Sequence, residues 1–247
     1  MTRNIQLGFG LCIFMVFFSG AFAQKMPKKI EKLLVRKLRD KSEAEQKKLI
    51  DAERVAYALV KNYKKEEGIP QAIFDKIKKA FGKKYPISFT TQMEELEKQV
   101  IAYPLMLNYK SAEGVPQDIF DKIKANNAKA FPYDYSKQKE QMQGDIVGYT
   151  YLKEQKSAEH VPQATFDHIK KQCIKKHPGS YSMQNKMFEK EINAHLTMLR
   201  YNSAMGVPQK VFDKIRSKYL KKYPLKFSEQ KRAIDADVRK YIKKNEK

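Results

Sequence analysis

The chain has 247 residues, with 50 Lys and Arg against 28 Asp and Glu, and a formal net charge of +22. Hydrophobic residues make up 42%, and there are only ten Gly and ten Pro, which excludes collagen-like and low-complexity chains. A positive charge of this size attracts anionic partners, among them nucleic acid, anionic lipid headgroups and acidic polysaccharide.

The first 23 residues have the pattern of a secretory signal peptide. Arg3 supplies a positive start, residues 7–18 are largely apolar, and Ala21-Phe22-Ala23 forms an A-x-A cleavage site. We expect cleavage after Ala23 and a secreted, periplasmic or cell-surface destination. A retained anchor is the alternative, but the apolar run is short for a membrane span. Loss of Arg3 leaves about +21, and Cys173 becomes the one remaining cysteine, so no intramolecular disulfide is expected.

Residues 24–55 read as a partial repeat that opens the array. The stretch 28–39 predicts a degenerate first helix, and Gln46 lies 46 residues before a glutamine that recurs later at the same spacing. A terminal unit that departs from the common pattern is typical of a capped repeat array.

A 46-residue repeat follows. A Pro-Gln-x-x-Phe-Asp motif begins at Pro70 and returns with no insertion, and a second proline and a glutamine keep the same step. The motif prolines are Pro70, Pro116, Pro162 and Pro208; the second prolines are Pro86, Pro132, Pro178 and Pro224; the glutamines are Gln92, Gln138, Gln184 and Gln230. We therefore divide the chain into repeats at 56–101, 102–147, 148–193 and 194–247, the last with a C-terminal capping helix.

Each repeat predicts two helices. The first is expected to begin near Thr90 or the equivalent Ser136, Ser182 and Ser228, whose hydroxyls suit a helix N-cap. It is expected to end at Gly68, Gly114, His160 or Gly206, where a left-handed residue is needed. The second begins after the motif proline and stops before the second proline. Phe89, Tyr135, Tyr181 and Phe227 are placed in the following loop, and Pro104 predicts a kink or short break in its helix.

The predicted fold is all-α. One helix pair cannot bury both apolar faces alone, so we expect tandem pairs stacked as a right-handed αα-solenoid, with a compact helical bundle as the alternative.

Residues that recur in every copy are interpreted as structural, because one active site needs only one copy. The recurring aspartates, such as Asp75 with Lys79, are expected to form helix-surface pairs. The recurring glutamines, such as Gln71, are expected to satisfy free N–H groups in a first turn.

The third copy is the least regular, with His160, His168, Cys173 and His177, followed by His195. Cys173 and His177 share a helix face, which resembles a fragment of a metal site. However, Cys173 replaces aromatic residues at a core position, His168 replaces a lysine expected to face water, and no catalytic motif occurs. We predict no metal, no cofactor and no enzymatic activity, with a Cys/His site in the third copy as the less favoured alternative.

Basic residues recur in register along the second helices and predict ladders of positive charge. The candidate binding residues are Lys76, Lys78, Lys83, Lys122, Lys124, Lys129, Lys170, Lys175, Lys214, Arg216 and Lys221. Such ladders suit a linear polyanion, whose counterions are released on binding, or they keep the protein in solution. We expect a secreted binding or scaffold protein that engages an acidic polysaccharide, an anionic lipid surface or a protein. The alternative is a structural envelope or surface protein without a discrete ligand.

Overall fold

The computed structural model of the chain describes residues 25–64 and 68–245, so the predicted signal peptide lies outside the described residues. These residues form ten α-helices and no strand. The helices are α1 (Lys28–Lys37), α2 (Glu43–Asn62), α3 (Gln71–Lys84), α4 (Phe89–Asn108), α5 (Gln117–Ala130), α6 (Tyr135–Glu154), α7 (Gln163–Lys176), α8 (Tyr181–Arg200), α9 (Gln209–Lys222) and α10 (Phe227–Asn245). The all-α prediction is confirmed.

Long and short helices alternate with the 46-residue period. From α2 onward, helices of 19 or 20 residues alternate with helices of 14 residues. Each short helix has a motif proline as its N-cap, because proline fixes its own φ and has no N–H to leave unpaired. Each short helix also stops before the second proline, as predicted.

The long helices end earlier than the sequence predicts. They stop at Asn62, Asn108, Glu154 and Arg200, six residues before the expected glycine positions. The glycines do have positive φ angles, for example +88° at Gly68, but they belong to the turn that leads into the motif proline. His160 occupies the same slot with φ of +60°, a conformation that disfavours any residue with a Cβ. Helix α4 continues through Pro104, so the short break that was one predicted outcome does not form, and the kink stays a prediction.

The long helices also begin one residue before the predicted Ser or Thr. Their first residues are therefore the aromatics that the sequence placed in the loop. Each aromatic packs edge-on against a ring of the preceding long helix, with centroids 4.9 Å apart for Tyr57 and Phe89 and 5.2 Å apart for Tyr149 and Tyr181. Aromatic pairs in this geometry add to the stability that burial supplies.

The chain divides into two compact units, Met1–Lys98 and Gln99–Lys247, and the boundary falls within α4. In the described part of the first unit, α1 packs on α2 around a core that includes Leu34 and Tyr57. In the second unit, α6 packs on α8 and α8 packs on α10. There each short helix packs on the long helix that follows it.

The motif phenylalanine is the centre of each repeat. Phe74, Phe120, Phe166 and Phe212 are all fully buried. Beside them lie the isoleucines three residues later, of which Ile123 and Ile169 are also fully buried. Burial of such side chains stabilises by about 1.5–3 kcal/mol each, so the recurring motif contributes to the core in every repeat.

Candidate anion-binding groove

One set of the predicted ladder residues caps helices. The ammonium of Lys124 donates to the carbonyl of Tyr109 at 2.8 Å, and that of Lys170 donates to the carbonyl of Gln155 at 2.8 Å. In the other repeats the same position is Lys78, which donates to the carbonyl of Tyr63 at 3.4 Å, and Arg216, which donates to the carbonyl of Met198 at 3.3 Å. The last carbonyls of a helix have no partner within it, so these half-buried cations stabilise the ends of the long helices. Partial burial also lowers the pKa of Lys78.

The other ladder positions face solvent. The exposed residues are Lys76, Lys83, Lys122, Lys129, Lys175, Lys214 and Lys221. Lys122 forms a surface pair with Asp118 at 3.2 Å, which adds little stability. Of these seven, Lys175 also lines the groove described below.

The recurring glutamines and aspartates bond to one another. Gln117 donates to the carboxylate of Asp121 at 2.9 Å and to the carbonyl of Lys110 at 2.9 Å. In the first repeat, Asp75 accepts from Gln71 at 2.8 Å. The expected aspartate–lysine pairs are therefore wrong, since the aspartate bonds to the glutamine four residues earlier. The glutamine donates to carbonyl groups and does not satisfy a free N–H as predicted.

A second glutamine, the marker at Gln92 and its equivalents, is also structural. Gln138 is buried and donates to the carbonyl of Phe131 at 2.7 Å, and Gln184 donates to that of His177 at 2.8 Å. These bonds cap the carboxyl ends of the short helices.

A polar position that joins successive long helices was not predicted from the sequence. Glu53, Gln99, Asp145 and Glu191 are spaced by 46 residues. Each accepts from the first turn of the next long helix, as when Asp145 accepts from Ser182 N at 2.9 Å and Glu191 from Ser228 N at 3.1 Å. The free N–H groups of a helix start favour such acceptors. In the sequence this position is recognisable as a residue with a side-chain hydrogen-bond acceptor that recurs every 46 residues within the long helix.

A groove of about 970 Å³ lies in the second unit between α7, α8 and the start of α10. Six Lys and Arg line it, with two glutamates. The cations are Lys175, Lys176, Lys186, Lys190, Lys226 and Arg232, and the acids are Glu191 and Glu229. The six cations are exposed, and none forms an ion pair with a carboxylate in 25–64 or 68–245. Glu191 is occupied by Ser228, so the groove presents an excess of positive charge.

The preceding repeat supplies an internal comparison. Of the six cationic positions, only two are cationic 46 residues earlier. The earlier residues are Lys129, Ala130, Glu140, Gly144, Ser180 and Lys186. Two repeats earlier three of the six are cationic, at Lys83, Lys84 and Lys98, so Lys186 and Lys226 are the two groove cations whose positions are not cationic in either earlier copy.

The turn before α10, which contributes Leu225 to the groove, differs from the turn before α8. In the preceding copy Asn126 donates to the carbonyl of Gly179 at 3.3 Å, and a Cβ on Gly179 would lie 2.5 Å from the Asn126 amide nitrogen. Leu225 replaces this glycine and still adopts a positive φ of +56°. Its side chain is incompatible with an approach as close as that of Asn126. Tyr133, two repeats before Leu225, has the same left-handed conformation with φ of +64°, so the backbone conformation belongs to the repeat and only the side chain differs.

The histidines of the third copy and the start of the next lie in different environments. His168 is partly buried, whereas the lysines at its position in the other repeats are exposed, and it lines the groove together with His177. His195 is buried against Phe227, and burial lowers the pKa of its imidazole.

Cys173 is fully buried, which confirms its role in the core. Burial raises the pKa of its thiol to about 11, which makes it a poor nucleophile. No cluster of three or more His, Cys, Asp or Glu that could hold a metal occurs in 25–64 or 68–245. Within those same ranges, every helix is too short or too polar to cross a bilayer.

Comparison with known proteins adds no relative. No family model matches the chain, and no curated protein or solved structure is significantly similar to it.

Proposed function

We propose that this protein is an exported binding protein whose helical repeats stack as an αα-solenoid and whose groove beside α8 binds an anionic partner. The observation that carries the proposal is the concentration of unpaired cations in this groove at positions that are mostly not cationic one repeat earlier. A surface evolved only for solubility needs positive charge but gives no reason to gather it at one place.

The stacked arrangement is supported by the series α6, α8 and α10, in which each long helix packs on the next. It is also supported by the acceptor in each long helix that bonds to the start of the following one, as with Asp145 and Ser182. A compact helical bundle does not require the same contact between successive long helices to recur in every repeat.

The export route rests on the signal-like residues 1–23 alone. Mass spectrometry of the secreted or surface fraction, with a mature N-terminus at Gln24, tests this part of the proposal. An intact N-terminus in the cytosolic fraction contradicts it.

The binding proposal is tested by measuring retention on heparin and on anionic vesicles as a function of salt. The groove variant carries K176A, K186E, K190A and K226S, which resemble the preceding copy. A matched control carries K122A, K129E, K214A and K221S, which changes the net charge equally on exposed short-helix positions outside the groove. Each cation lost from a true contact reduces both the affinity and its salt dependence.

The groove variant is expected to bind about tenfold more weakly or worse, with a shallower salt dependence, and the control is expected to change by about twofold or less. Equal losses in both variants show that diffuse net charge, or the ladder of short-helix lysines to which the control residues belong, is responsible, and they overturn the groove proposal. Absence of retention in the unmodified protein at low salt overturns anionic binding altogether.

A further inference from the structure

The groove lining combines apolar side chains with its cations; we call Met183, Met187 and Leu225 its floor and the six cations its rim. Met183 and Leu225 are 44% and 42% exposed, and Met187 is partly buried against the core. One repeat earlier these positions are Lys137, Gly179 and Gln141. This copy therefore combines two changes, more cations than the preceding copy and the apolar Met183 and Met187, whereas the position of Leu225 is already apolar or aromatic at Ile87 and Tyr133.

These two changes have different consequences for a ligand. Exposed methionines on a cavity floor adapt to irregular apolar shapes, because the side chain is unbranched and polarisable. A polysaccharide or an inorganic anion gains nothing from such a floor. A ligand that has both an acidic group and an apolar chain uses the floor and the rim together.

The size of the groove agrees with this division. A volume of about 970 Å³ is at the upper end of the range for sites that hold one small molecule. Lys176 is the last residue of α7, Lys190 lies in α8 and Lys226 directly precedes α10. Cations therefore line the same cavity from three separate parts of the chain.

We propose that the ligand of this groove is an anionic amphiphile. Its acidic headgroup is held by Lys176, Lys190 and Lys226, and its apolar chain lies on Met183, Met187 and Leu225. This inference rests on the proposed anion-binding function and names the chemistry of its ligand.

The first test compares dodecyl phosphate, below its micelle concentration, with butyl phosphate by calorimetry. Burial of several additional methylene groups on the floor is expected to tighten binding of dodecyl phosphate by about tenfold or more over butyl phosphate. In the variant M183K/M187Q/L225G this advantage is expected to disappear, with binding to heparin unchanged or stronger. Equal affinities for the two phosphates in the unmodified protein overturn the amphiphile proposal.

The second test needs no substitution and therefore does not depend on the folding of a variant. Peroxide converts exposed methionine to its sulfoxide, and peptide mapping follows each site separately. Dodecyl phosphate is expected to protect Met183 and Met187 but not Met205, which is 98% exposed and absent from the groove lining. Equal oxidation of Met183 with and without the probe at a saturating concentration overturns the proposal.

Vesicles that contain phosphatidylglycerol distinguish the source of the ligand. Protection of Met183 by these vesicles indicates a lipid taken from a bilayer, and protection by dodecyl phosphate alone indicates a free amphiphile. Both results support the proposed chemistry. Retention on heparin without any protection of Met183 refutes the amphiphile and leaves the proposed function intact, whereas failure to bind any of these anions refutes the proposed function itself.

Discussion

The contact between α6 and α8 makes a sharp prediction about two glycines of the same helix. Gly148 is buried, and a Cβ built on it would lie 2.5 Å from the carbonyl oxygen of Tyr181 and 2.8 Å from Ser182 N. These are backbone atoms, so no side-chain rotation can relieve the overlap. A Cβ on Gly144 would instead lie 3.5 Å from the Ser182 Cβ, an ordinary van der Waals distance.

Both glycines lie inside α6, where alanine is favoured over glycine by about 0.8–1 kcal/mol. Gly144→Ala is therefore expected to stabilise the protein by about that amount. Gly148→Ala gains the same helix propensity but forces the start of α8 away, at an overpacking cost of about 1–3 kcal/mol. Because the propensity term is common to both variants, their difference in unfolding free energy measures the overpacking cost and is expected to be about 1–3 kcal/mol.

Urea unfolding followed by circular dichroism and by tyrosine fluorescence provides the assay. Coincident transitions with both probes justify a two-state analysis. Equal stabilisation by Gly144→Ala and Gly148→Ala would refute the close approach of α8 to α6. That result would also be informative for the repeat, because the equivalent positions Ala56, Ala102 and Ala194 already carry the methyl group.

Three further predictions concern single residues. Asp145→Ala removes the acceptor of Ser182 N and of the buried Asn127 amide and is expected to destabilise by about 2–4 kcal/mol in the same urea assay; a loss below about 1 kcal/mol contradicts its role. His160→Gly, at an exposed left-handed position, is expected to stabilise by about 0.5–1 kcal/mol, and unchanged or reduced stability refutes the strain. The Cys173 thiol, with its pKa raised from 9.0 to about 11, is expected to react with a thiol reagent at least about 100-fold more slowly in the native than in the urea-unfolded chain. Because the folded thiol retains its proton where the unfolded one loses it, this group makes stability fall as pH rises from 9.0 to about 11, and a rise across that window contradicts its burial.

The helices and their buried faces are predictable from sequence because four copies repeat the same pattern in phase. Each copy places Phe74 or its equivalent on an apolar face, and a face that recurs at a helical spacing must be covered. Burial of all four phenylalanines follows from that pattern alone. The free Cys173 is predictable in the same way, because it occupies a position that is aromatic in Phe81 and Tyr219.

The helix ends were harder to predict because their stabilising partners are remote in sequence. The carbonyl of Tyr109 is satisfied by Lys124, fifteen residues later, so α4 can end without a local glycine. The start of α8 is satisfied by Asp145, 37 residues before Ser182, so the hydroxyl of Ser182 is not needed as an N-cap. Local capping rules identify the residue types correctly but assign them the wrong partners.

The candidate groove was only partly predictable for a different reason. Lysines that recur in every copy suggest a binding surface, but a recurring residue usually stabilises the repeat itself. Lys170 is an example, because it caps the end of α6. The residues that distinguish the groove are those that break the pattern, and a single departure such as Lys226 for Ser180 is indistinguishable from drift. Their significance depends on proximity in space, which the 46-residue register does not reveal.

The turn at Leu225 connects the shape of the groove with its chemistry. A glycine at this position allows the turn to approach the short helix, as Gly179 does with Asn126. Leucine keeps the same left-handed backbone at a cost in stability and adds an apolar side chain to the floor. Tyr133 holds the same slot one repeat before Gly179, with a φ of +64°, so this turn accepts a residue with a Cβ, and what distinguishes Leu225 from Gly179 is the apolar side chain that it adds to the groove.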